Sequence, residues 1–337
     1  MSITGMANAN GQHPSESSNS APPARWYASI YPGPRSPEGL PPGFVEAVQQ
    51  LEAELQLPVW LLIQDAPLER DQYGKDTVHL IGDALTERFL AARHNSLPKG
   101  QRIALLIDSP GGFTRNAYEL AMLLRRHCGG FVAVVPRHAK SAATLLALGA
   151  DAIILNDHAE LGPLDVQIWD SQREDMLSGL DEVQSLERLN AFAMQALDNL
   201  MLLLLDRTKM KARSLIPLAS NFVARMTRPM FEKVDVVRFA QMSRALKIAE
   251  EYAYRLLASR YGPENAQRIS RTLVQDYPEH GFPIYREEMQ AIGLETVAVP
   301  DALRSILEVI TLYLAKVTYI GKMMLDTMEN YTNEPPG

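Results

Sequence analysis

The chain has 337 residues, 46% of them hydrophobic and 22% charged, with 33 Lys and Arg against 40 Asp and Glu for a formal charge of −7. That acidic balance speaks against a nucleic-acid binder, which concentrates a basic excess on one face. The single cysteine, Cys128, excludes an intramolecular disulfide framework and a Cys-rich zinc site, and fits a reducing cytoplasm.

The first basic residue is Arg25, so the N-terminus lacks the pattern of a signal peptide. The longest apolar run of the central region, Leu200 to Leu205, is far short of the ~20 residues that span a bilayer. A C-terminal apolar stretch is interrupted by Glu308, Lys316 and Lys322. A soluble, cytoplasmic protein without membrane insertion is expected.

Residues 1–42 gather Pro14, Pro22, Pro23, Pro32, Pro34, Pro37, Pro41 and Pro42 around a group of serines. Such a composition buries too little apolar surface to offset the entropy of ordering it, so a disordered tail and a Pro-stiffened lead-in are predicted. Phe44, Val48, Leu51 and Leu55 then recur at helical spacing up to Pro58. The run Val59 to Ile63 reads as a buried strand, and Asp83 to Arg93 as a helix. Strand Ile103 to Ile107 ends in Asp108-Ser109-Pro110-Gly111-Gly112, and a helix follows from about Asn116 to His127. Strand Phe131 to Val135, a short helix Ala142 to Leu148 and strand Ala152 to Leu155 complete the alternation. Buried strands separated by helices predict a parallel sheet and an α/β core.

Beyond Asp181 the pattern is mostly helical. One long helix is predicted over Asp181 to Arg207, with Pro217 in a break after it, and a second over Ala240 to Ser259. A third places Leu303, Ile306, Leu307, Ile310, Leu314 and Val317 on one face. These helices are candidates for an oligomer interface or for plain intramolecular packing.

Three turns stand at the carboxyl ends of strands, the edge of an open α/β sheet where ligands bind. Ser109-Pro110-Gly111-Gly112 supplies two glycines that free the backbone to approach a ligand. Ala139-Lys140-Ser141-Ala142-Ala143-Thr144 sets a serine at a helix start, beside unpaired N–H donors. Glu160-Leu161-Gly162-Pro163-Leu164-Asp165 forms the third turn. Taken singly they read as a tight connection, an N-cap serine and a solvated Gly-Pro turn. Their convergence on one edge makes a cleft the stronger reading.

In this order the three motifs resemble the ClpP-class serine peptidases, and within them the serine dehydrogenase proteinase family, relatives of the signal peptide peptidase A type. The best-matched stretch runs from Val59 to Ile168; softer echoes lie in residues 228–235, 245–257 and His280-Gly281-Phe282-Pro283-Ile284. The resemblance implies an α/β fold, a ClpP/crotonase-like spiral of β-β-α units, with a mostly helical C-terminal part and homo-oligomeric assembly. It implies Ser141 as nucleophile, and the N–H groups of Gly112 and Ala142 as an oxyanion hole. Two preorganised donors of that kind are worth about 3–4 kcal/mol each. The expected organisation is a tail over 1–42, a catalytic core over 43–180, a helical extension over 181–328 and a flexible tail over 329–337.

The base is left open. The turn where ClpP carries its histidine reads Gly162-Pro163-Leu164-Asp165, and the window from Asp181 to Leu205, where signal-peptide-peptidase-like relatives carry a lysine, has none. Asp165 can serve as a base or orient one. Lys140 is a further candidate, though as a chain neighbour of Ser141 it reads better as solvated or helix-packing. Lys209 and Lys211 are read as a solvated helix end, His158 as an exposed turn residue, and His280 as a loop-ordering group; Lys233 and His138 complete the set of candidates. Scattered histidines give no metal motif and no cofactor is implied, and Cys128 reads as a small buried hydrophobe. The preferred expectation is a serine peptidase acting on polypeptides through an acyl-enzyme, with a partner ATPase left undetermined. The alternatives are a crotonase-like acyl-CoA enzyme and a catalytically silent scaffold.

Overall fold

A computed structural model describes residues 40–64, 80–170, 175–314 and 317–323. The expected tail up to residue 39 and the one over 329–337 lie outside the described residues. The order of elements is α1 (Pro42–Leu55), β1 (Val59–Ile63), α2 (Asp83–Asn95), β2 (Ile103–Asp108), α3 (Thr114–His127), β3 (Phe131–Val135), β4 (His138–Ala139), α4 (Ala142–Leu148), β5 (Ala152–Leu155), β6 (Glu160–Leu161), β7 (Gln167–Asp170) and β8 (Asp175–Ser178). The helices α5 (Gly179–Thr208), α6 (Ala212–Phe231), α7 (Val236–Tyr261), α8 (Pro263–Gln275), α9 (Arg286–Ala291) and α10 (Asp301–Leu314) follow, and β9 (Tyr319–Lys322) closes the list.

The main sheet runs β5-β3-β2-β1-β9, its first four strands parallel and β9 antiparallel to β1. β1 and β2 are buried at every position because both faces are covered. On one face Val59, Leu61 and Ile63 pack with Phe44, Val48 and Leu51 of α1 and Leu303, Leu307 and Ile310 of α10. On the other, Trp60 and Leu62 join Phe89, Leu120, Leu124, Leu145, Leu256 and Ile269, from α2, α3, α4, α7 and α8. This is the predicted α/β fold with a mainly helical second half.

Two expectations need correcting. Val317 lies beyond the end of α10 and leads into β9, which fills the hydrogen-bonding edge of β1. The pairing of Tyr319 with Ile63 and Ile320 with Leu62 outweighs the helical spacing of the preceding residues. Pro217 lies inside α6 rather than in a break. The helix tolerates the lost ladder bond because Leu215, Ala219, Val223 and Thr227, four residues apart, are all buried.

A narrow second ribbon crosses the carboxyl edge of the sheet. Parallel bridges join Ser109 to Ala139 and β4 to β6, and an antiparallel bridge joins Leu161 to Ile284. β3 is followed by the ribbon strand β4 and then by α4, and β2 runs through the Ser109 bridge into α3. That is the expected β-β-α unit, and it places the three turns side by side.

Candidate active site

The turn after β2 is fixed by its own polar groups. Ser109 Oγ donates to Gln64 Oε1 (2.6 Å) and accepts from the N–H of Gly111 (3.1 Å). Gly111 and Gly112 hold φ values of 106° and 149°. A Cβ on Gly111 would lie 2.6 Å from the carbonyl oxygen of Lys140 and 3.0 Å from Ser141 Cβ. Only glycine allows the two turns to close on each other. Gly112 sits in a parallel bridge opposite Ile81, whose N–H donates to Gly111 and whose carbonyl accepts from Phe113. In that pattern the N–H of Gly112 itself points away from Ile81.

Ser141 joins β4 to α4 with φ 49° and ψ −117°, far from the allowed wells for an L-residue. It is 9% exposed and makes no capping hydrogen bond to its helix, so the N-cap reading fails. Ala142 is the first residue of α4, and its N–H has no acceptor within the helix. Thr144 Oγ1 fastens this turn to the third one: it donates to the carbonyl of Ala139 (2.6 Å) or Gly162 (2.9 Å) and accepts from the N–H of Gly162 (3.0 Å).

The charged residues around Ser141 are already engaged. Asp108, fully buried, receives Arg137 through Nη2 (2.6 Å) and Nε (3.1 Å), with His138 Nδ1 at 3.5 Å. Burial pushes His138 below the usual histidine range, against the pull of Asp108. Lys140 is not solvated as the sequence suggests. Its Nζ pairs with Glu160 at 2.6 Å and lies 3.4 Å from the carbonyl of Gly281.

Asp165 is 2% exposed and stands at the start of α5, where it accepts the N–H of Leu180 at 3.1 Å. Burial raises its pKa; hydrogen bonds from Ser178 and Leu180 and the nearby His280 oppose the rise. His280 lies beside Asp165 and within electrostatic range of Lys140. Its Nδ1 is buried without a hydrogen-bond partner among the described residues. Desolvation lowers the pKa of His280, with Asp165 working against it. In the sequence His280 is one of the candidate bases, read as loop-ordering because it precedes Gly281 and lies near Pro278. The signal that could have found it is the apolar Phe282-Pro283-Ile284 after it, which supplies the bridge to Leu161.

Lys209, Lys211 and His158 are exposed, as read, and so is Lys233. Cys128 is buried and its thiol is pushed up to about 11 by desolvation. No cluster of potential metal ligands occurs among the described residues, nor a helix long and apolar enough to cross a membrane.

Strand-strand-helix units that close a Gly-Gly turn on a strained serine define a ClpP-like α/β fold. A model of the ClpP-like SDH-type serine proteinase family matches residues 78–196, the stretch that carries the three motifs from which the resemblance was read. The chain is 27% identical over 212 residues to MJ0137 of Methanocaldococcus jannaschii, an uncharacterized protein, covering 63% of this chain and 59% of that one. It is 26% identical over 217 residues to MJ1495, an uncharacterized protein of the same organism, covering 64% and 58%. The chain thus spans a little under three fifths of the length of these curated relatives. Among solved structures, an alanine mutant of the 1510-N membrane-bound stomatin-specific protease is similar at 16% identity and a TM-score of 0.24, over 43% of this chain and 66% of that chain.

Proposed function

We propose that this protein is a serine peptidase that cleaves polypeptides through an acyl-enzyme on Ser141. The observation that carries the reading is the strained, buried Ser141 pressed against the Gly111-Gly112 turn. Backbone strain of that kind costs ~1–3 kcal/mol and persists where the surrounding structure enforces it, most often at functional sites. The N–H groups of Gly112 and Ala142 are the oxyanion donors in this reading. Both belong to backbone fixed by neighbouring hydrogen bonds, so they need little reorganisation as charge develops on the substrate oxygen.

Assembly with further copies of the chain belongs to the same proposal. Along α5 and α6, Phe192, Met194, Leu202, Ile216, Leu218 and Phe222 are 46–67% exposed, more apolar surface than a lone chain usually leaves in water.

Reaction with a fluorophosphonate, followed by mass spectrometry, tests the activity. One adduct on Ser141, absent in Ser141→Ala, is the expected result. A folded protein that takes no adduct there refutes the peptidase reading and leaves the silent scaffold.

A further inference from the structure

We propose that the tip of the α5–α6 hairpin docks the protein on an anionic phospholipid surface, as a peripheral contact rather than a span. The inference stands apart from the peptidase reading and makes no use of Ser141.

The hairpin leaves the body of the fold. α5 and α6 pack on each other, and beyond Val183 neither contributes a residue to the two apolar cores among the described residues. At its far end Lys209-Met210-Lys211 joins Thr208 to Ala212. Leu202, Leu203, Leu205, Met210, Ile216 and Leu218 gather around this turn and are 36–67% exposed. The helical ones lie no further from it than Leu202 from Thr208 or Leu218 from Ala212, about 9 Å along a helix axis. An interfacial helix buries its apolar side chains to a similar depth, about 5–10 Å into the boundary of headgroups and acyl chains.

The charges decide the occupant. Arg207, Lys209, Lys211 and Arg213 are all exposed, in a stretch whose one acid is Asp206, on a chain with a formal charge of −7. None of the four pairs with a carboxylate among the described residues. Two of them are set against the local electrostatics. Lys211 is the N-cap of α6 and makes no capping hydrogen bond, and Arg213 lies in a first turn that holds no acid. Cations at that end oppose the helix dipole, so α6 gains no stability from them. A surface of phosphate headgroups compensates all four while the leucines between them leave water.

Other occupants match this chemistry less well. A second copy that presented its own tip across a two-fold axis would set like charges against each other. Nucleic acid would meet the cations but leave the aliphatic side chains in water, because residues 202–218 hold no aromatic ring to stack on a base. Assembly along α5 and α6 then rests on the shaft of the hairpin, at Phe192, Met194 and Phe222.

The test is cosedimentation of the full chain with vesicles of phosphatidylcholine alone and of phosphatidylcholine mixed with phosphatidylglycerol, at low and at high salt. Binding to the mixed vesicles is expected, weakening as salt rises, with far less binding to the neutral ones. Lys209→Gln/Lys211→Gln is expected to weaken binding about 30-fold, from a factor of about five for each charge. Leu202→Ser/Leu205→Ser is expected to weaken it at every salt concentration, which a purely ionic contact would not show. Both variants alter exposed side chains only, and circular dichroism checks their folding. Met210→Trp gives a second readout: its added emission is expected to shift to the blue with the mixed vesicles. A wild type that ignores the mixed vesicles, or a leucine variant that binds them as tightly, overturns the proposal. A Met210→Trp emission moved by single-stranded DNA and not by vesicles overturns it in favour of nucleic acid. A leucine variant of lower oligomer mass, in a protein that binds no vesicles, overturns it in favour of a contact between copies.

Discussion

The backbone of Ser141 makes a prediction that separates strain from capping. At φ 49° and ψ −117° a Cβ is paid for in strain, and the ψ value takes the residue outside even the left-handed well, so the upper part of the ~1–3 kcal/mol range applies. Ser141→Gly removes that strain. Against it stand about 0.5–1 kcal/mol of extra unfolded-chain entropy and about 0.8 kcal/mol for the buried methylene. The balance leaves Ser141→Gly about 1 kcal/mol more stable than wild type. Ser141→Ala keeps the Cβ and loses a hydroxyl that makes no cap, so it should match wild type closely. A conventional N-cap serine gives the other order, with wild type above glycine and glycine above alanine. Urea unfolding of the three full-length proteins reads the order, and the difference between Ser141→Gly and Ser141→Ala, which both lack the hydroxyl, is free of any self-cleavage. Wild type proving the most stable of the three would falsify the strain argument and the functional inference drawn from it.

Two further perturbations probe the surroundings. Thr144→Val keeps the shape but removes the hydroxyl between Ala139 and Gly162; the Gly162 N–H still reaches the Ala139 carbonyl (3.1 Å), so the loss falls on the buried Gly162 carbonyl and should cost about 1–3 kcal/mol in denaturant unfolding and slow adduct formation on Ser141 without abolishing it. Cys128, with its thiol raised to about 11 by burial, should resist iodoacetamide at pH 8 in the native protein and react fully in urea, as followed by mass spectrometry; rapid native alkylation would contradict the packing of α3 against the sheet.

The parts of the fold legible in sequence are those whose burial leaves no alternation. Val59 to Ile63 and Ile103 to Ile107 are continuous apolar runs because helices cover both sheet faces, and α4 begins and ends where its composition says. The ribbon was not legible. β4 and β6 have two residues each, too few to carry a period, and their pairing is set by which main strands they follow. β9 was hidden because its approach continues the helical spacing of α10, although Val317-Thr318-Tyr319-Ile320 is rich in residues that favour strands. The same division holds at the site. The turns that hold Gly112, Ser141, Ala142 and Asp165 could be placed because they follow successive strands, while the roles of Gly112, Ser141 and Ala142 came from the resemblance. The stretch from His280 to Ile284 showed as an echo of the same family, but its place beside the third turn rests on a bridge between residues far apart in sequence.

Asp165 was open to two readings, base or orienter, and its hydrogen bonds favour the second. Its Oδ1 takes the N–H of Leu180 at the start of α5, where the helix dipole favours a negative charge, and Ser178 adds a side-chain hydrogen bond. Those partners favour the anion that burial alone would neutralise. A carboxylate held in this way favours positive charge on the imidazole beside it, that of His280. The desolvation that lowers His280 and the anion that opposes it therefore act together. The first favours the neutral ring, and the second limits what its protonation costs.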